Sequence, residues 1–77
     1  METEGEFRIY HAEAVGQAIK HFRAQAGLTQ AELASRVGIQ RSYLAELEGG
    51  HVTEQTQRIV DLLRALGARL VIREADW

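Results

Sequence analysis

The chain has no cysteine, which excludes a disulfide framework and thiolate chemistry together and gives no sign of an oxidising compartment. It also lacks any apolar run of membrane-spanning length. Its first residues, METEGEF, are acidic where a secretion signal starts basic and then turns apolar, so a cytoplasmic location is expected. Histidine is sparse. His11, His21 and His51 lack the i, i+4 pairing of a helical metal site, and each suits a surface or capping role, so neither metal nor cofactor is expected. Ser35 and Ser42 have no histidine base near them, and there is no glycine-rich phosphate loop. A chain this short builds no substantial pocket, and an enzyme is not expected.

What is present is 77 residues, enough for one small domain of a size at which burial is marginal and oligomerisation is a common remedy. The 45% hydrophobic and 26% charged composition is that of a globular protein, so neither disorder nor a membrane span is indicated. The net charge of −2 is unevenly placed: residues 1–13 carry −3, residues 14–48 carry +1, and residues 49–77 balance. The acidity therefore belongs to the N-terminal arm. Phosphate contact depends on the local field of one face, so this charge permits nucleic-acid binding without arguing for it.

The informative stretch is Thr29 to Glu48, TQAELASRVGIQRSYLAELE. Thr29 followed three residues later by Glu32 is a capping box, in which hydroxyl and carboxylate each satisfy a backbone N–H at a helix start, so a helix begins at Gln30. Leu33, Ala34 and Val37 fall on one face of it, and Leu44 and Leu47 repeat the spacing after a break. Gly38 takes positive φ at low cost and lets the chain swing into the second helix after Ile39. The spacing predicts that residues 33, 37, 39, 44 and 47 share one core, with Ala34 small where the helices cross.

Elsewhere the pattern is simpler. Residues 1–6 read as a frayed tail, and Phe7, Ile9 and Tyr10 as an extended strap with Arg8 facing out. Val15, Ala18, Ile19, Phe22 and Ala26 stripe a first helix over about 12–26, which Gly27 ends. After Gly49-Gly50, Thr53 caps a last helix running to about Leu66, with Ile59, Leu62, Leu63 and Leu66 as its core stripe. Val60 widens the apolar arc beyond what one small core needs, which points to a partner subunit. Beyond Gly67 the period changes, and residues 68–74, ARLVIRE, read as a strand with Leu70 and Ile72 on one face and Val71 on the other. That strand needs a mate, either its copy in a second chain, the favoured pairing, or Phe7–Tyr10 of its own. The expected fold is mainly α: a small bundle of about four helices with a helix-turn-helix, plus a C-terminal strand pairing across a dimer. Residues 1–10 form an arm, 11–67 the helix-turn-helix domain, and 68–77 the dimerisation strand and tail, with Val60, Leu70, Val71 and Ile72 at the dimer contact.

The residues quoted from Thr29 to Glu48 resemble the helix-turn-helix of the phage-repressor (Cro and Xre) family, in which the second helix enters the DNA major groove. Together with the N-terminal IY segment, the helix ending in ALG and the terminal strand, residues 8–77 resemble the HipB-like antitoxins of that family. The resemblance implies a homodimer on operator DNA with an inverted repeat, and a HipA-like kinase toxin as partner. Gln40 departs from the serine that caps the second helix in many relatives, and Thr56 stands where leucine commonly enters the core.

DNA chemistry is expected from the start of the second helix. Arg41 can donate two bonds to guanine O6 and N7, Gln40 can pair with adenine, and Glu46, one turn on, can accept from cytosine N4, although a solvated role suits it slightly better. Ser42 and Tyr43 suit phosphate contact or packing, and Gln30 resembles the family's phosphate-contacting glutamine. Arg36 is equally a solvated charge. Trp77, the sole tryptophan, is expected either to anchor the toxin or to fold over its own dimer. A stand-alone phage-type repressor fits the same residues. So does a helical adaptor that holds only a protein partner, except that an adaptor has no need of Arg41 and Gln40 at groove-facing positions.

Overall fold

The computed structural model describes residues 6–75, and Trp77, with the role expected of it, lies outside them. The described chain runs β1 (Glu6–Ile9), α1 (Glu13–Gln25), α2 (Gln30–Val37), α3 (Arg41–Glu48), α4 (Glu54–Ala65) and β2 (Leu70–Arg73). It is mainly helical with one small sheet, and no helix among the described residues is long and apolar enough to cross a membrane.

The strand's mate is the N-terminal segment of the same chain. β1 and β2 pair antiparallel, with Phe7 opposite Ile72 and Ile9 opposite Leu70 on one face, and Arg8 opposite Val71 and Glu6 opposite Arg73 on the other. The alternation places the apolar pairs inward: Ile9 is buried with Ala12 and Val60, and Phe7, Leu70 and Ile72 pack against that cluster with Val15 and Val52. An intrachain mate satisfies these backbone groups without the entropic cost of bringing in a second molecule. Glu6, read as part of the tail, opens β1. Beside the sheet, the Arg69 guanidinium lies 4.8 Å from the Tyr10 ring centre, and Arg64 Nη1 donates to the Tyr10 carbonyl.

Four corrections concern which side chains are inside. Val60, assigned to a partner, is 2% exposed in the core, while Ile59, Leu62 and Leu66, assigned to the core, are 51%, 65% and 79% exposed. Leu70 and Ile72 likewise face their own core and leave only Val71 of the proposed dimer strand outside. Val37 is exposed and Ile39 borders on exposure, so the shared core of α2 and α3 rests on Ala34 and Leu44, with Leu33 and Leu47 half-buried. His21 is not a surface or capping residue: its ring stands edge-on to both Phe7 and Phe22, and its Nε2 is buried without a hydrogen-bond partner.

The helical part is closed by small residues. Ala18 and Ala34 are buried, and α1 crosses α3 at Gly16, where an added Cβ would stand 1.9 Å from the Leu47 carbonyl oxygen. That approach brings the last turn of α3 against α1 and fixes where its first turn points.

Candidate nucleic-acid interface

The start of α2 is built as its sequence requires. The Glu32 N–H donates to Thr29 Oγ1 at 3.0 Å, and the Thr29 N–H donates to Glu32 Oε1 at 2.8 Å. The Thr29 backbone and hydroxyl bonds hold the Glu32 carboxyl below its ordinary value. At the other end Gly38, at φ 84° and ψ 31°, is left-handed, and its N–H and that of Ile39 both donate to the Ala34 carbonyl. A residue with a Cβ is disfavoured at that φ, which is why the turn takes glycine.

α3 starts without a side-chain cap. Gln40 has the extended backbone of an N-cap but makes no capping hydrogen bond, so the departure noted in the sequence removes the usual partner of the first-turn N–H groups. Arg41, Ser42 and Glu46 are exposed, and Tyr43 is half exposed. Tyr43 and Glu46 line a shallow groove with Val52, Thr53 and Thr56, where α3 faces the start of α4. Thr56, which stands in place of a core leucine, is half-buried and shares a 2.9 Å hydrogen bond between its hydroxyl and that of Thr53.

Two of the expected site residues meet. Arg41 Nη1 donates to Gln30 Oε1 at 3.1 Å, so the first residue of α3 is tied to the first residue of α2. Gln30 Nε2 in turn donates to Glu48 Oε1 at 3.1 Å. The Glu48 carboxylate is bound in bidentate fashion by Arg23, through Nε at 2.7 Å and Nη2 at 2.8 Å, and Arg23 Nη1 donates to the Leu28 carbonyl. Because a carboxylate only accepts, it draws the Gln30 amide nitrogen toward itself and leaves the amide oxygen facing Arg41. The Arg23 hydrogen bonds hold the Glu48 carboxyl below the usual carboxylate range, against the opposing effect of burial, and Gln30 adds to the shift.

Sequence reasoning missed Arg23 and Glu48. The available signal was Glu48 four residues after Leu44, a charge on the buried stripe of α3, which is kept there only when paired. Gln40, which precedes α3, and Ser42, Tyr43 and Glu46 on its outer part are exposed but are not drawn into this chain of bonds.

Two short helices set across a left-handed glycine, the second with its outer face open, make a helix-turn-helix. Residues 14–75 match the helix-turn-helix domain family, and the chain belongs to it. It is 36% identical over 52 residues to an "uncharacterized HTH-type transcriptional regulator" of Archaeoglobus fulgidus, a match that covers 68% of this chain and 74% of that one. No solved structure gives a significant match.

Proposed function

We propose that the protein is a sequence-specific transcriptional regulator that binds double-stranded operator DNA through the exposed edge formed by Gln30 and the first turns of α3, acting as a homodimer on an inverted repeat. The observation that carries the reading is Arg41, exposed at the start of α3 and held by Gln30 across the turn. One Nη1–H is used in that bond, which leaves the Nε and Nη2 edge of the guanidinium for guanine O6 and N7. Gln30 keeps a second Nε2–H for a phosphate oxygen, so positioning and reading are joined at one place. Gln40, Ser42 and Tyr43 flank Arg41 and supply further base or phosphate contacts, and Glu46 suits a cytosine N4 or solvent.

Arg41→Ala is expected to lower operator affinity by about 1–3 kcal/mol and to relax preference at one base pair, read by titrating labelled duplexes that differ at single positions. An equal loss on operator and random DNA would reassign Arg41 to phosphate.

The HipB-like part of the reading, an antitoxin that also holds a HipA-like kinase toxin, is supported by the organisation of residues 8–77. Co-purification with a kinase encoded beside this protein is its test, and its failure favours the stand-alone repressor.

A further inference from the structure

The buried Glu48 carboxylate reaches the reading edge of the protein through one side chain. Glu48 and Arg41 are the last and first residues of α3 and, seven positions apart, fall on one face of it two turns from each other. Gln30 spans that distance from the start of α2: its Nε2 donates to Glu48 Oε1 and its Oε1 accepts from Arg41 Nη1, each at 3.1 Å. A carboxamide has nearly the same shape after half a turn about its last torsion, so packing alone does not choose which end faces which neighbour. The partners choose. Turned over, Gln30 would set its oxygen against a carboxylate oxygen, acceptor to acceptor, and its NH2 against the Arg41 guanidinium, donor to donor. Glu48 cannot relax that demand, because the Arg23 contact keeps its buried carboxyl ionised and therefore an acceptor only.

We propose that Glu48, although buried, is a positioning residue for base selection: its carboxylate sets the direction of the Gln30 amide, and the amide oxygen so placed holds Arg41 ready to read guanine. The inference rests on the reading of Arg41 as a base-contacting residue, and it names the buried group that makes that contact selective. α3 begins without a side-chain cap, so the Gln30 bond is the side-chain contact that restrains Arg41. An unheld arginine has many rotamers, and its guanidinium meets a phosphate oxygen as readily as a base. Held at Nη1, it presents its Nε and Nη2 edge in one direction, which favours the base whose two acceptors lie there.

The test is a double-mutant cycle read as base preference, the ratio of affinities for duplexes that differ only at the base pair Arg41 reads, with urea unfolding on the same samples. Glu48→Gln keeps the size of the side chain but supplies an amide that can donate or accept, so Gln30 is free to turn. Preference is expected to fall by about tenfold, within what a bidentate guanine contact contributes. Gln30→Met, which leaves the Arg23–Glu48 pair in place, is expected to lose preference to the same extent. The double variant is expected to be no less selective than either single one, because Glu48 acts through Gln30. In the free wild-type protein, one of the two Gln30 side-chain amide protons is expected to exchange slowly, held by Glu48. Two amide protons that exchange equally fast overturn the proposal even where Glu48→Gln is too unstable to assay, and so does a Gln30→Met protein that keeps its preference. A double variant whose losses add also overturns it, since Glu48 then acts on α3 independently of Gln30. Selective wild type beside equally selective Glu48→Gln overturns this inference alone, whereas wild type without Arg41-dependent preference overturns the DNA reading itself.

Discussion

Gly16→Ala is expected to destabilise the protein by about 2 kcal/mol or more, although alanine is the better helix former by about 1 kcal/mol. The reason is distance: a Cβ there would lie 1.9 Å from the Leu47 carbonyl oxygen and 2.8 Å from its carbon, both backbone atoms that no rotamer change can move. The helices must therefore separate, and overpacking of this kind costs typically ~1–3 kcal/mol beyond the propensity gained. Because the α1–α3 contact also sets Arg23 against Glu48, operator affinity should fall with stability. Urea unfolding reads the first effect and DNA titration the second. A gain in stability on substitution would mean that α1 and α3 do not approach so closely.

Arg23→Met should be more damaging than the double change Arg23→Met with Glu48→Leu. The Glu48 side chain is 3% exposed, so removing its guanidinium partner strands a buried carboxylate, whereas replacing both leaves an apolar contact. The pair also gives stability a pH dependence. The Glu48 carboxyl is held below its ordinary value by Arg23, so its contribution is fully present above the unfolded carboxylate value of about 4.3 and is lost as pH falls through the lower folded value. Glu32 adds a dependence of the same sign through its bonds to Thr29, so the informative quantity is the difference between wild type and the Arg23 variant across that acidic window. A wild-type advantage that stays constant down to the lowest pH would contradict the assignment.

What was legible in the sequence was local. The Thr29–Glu32 capping box, the left-handed Gly38 and the Thr53 cap are settled by chemistry within three or four residues, and each is found as expected. The mate of β2 was not legible, since pairing residues 6–9 with 70–73 depends on where four helices deliver the chain ends. The face of α4 was misread for a related reason. Its densest apolar stripe was taken as the buried one, but the core it meets is built largely from Ala12 and Ile9 and takes little from α4 beyond Val60, which leaves the larger residues outside. The candidate site was legible as Gln30 and Arg41 separately. Their contact, and the buried Glu48 that orients it, depend on α1 and α3 meeting at Gly16, which no spacing within α2 and α3 records.

The central claim, that the edge holding Gln30 and Arg41 reads double-stranded DNA, is tested most directly by selecting bound duplexes from a random pool with the full chain. Enrichment of one inverted repeat is expected, with half-site centres about one helical turn, roughly 34 Å, apart. Arg41→Ala is expected to select the same repeat with one position in each half relaxed. A pool that shows no enriched sequence, or one that Arg41→Ala enriches unchanged, would contradict it.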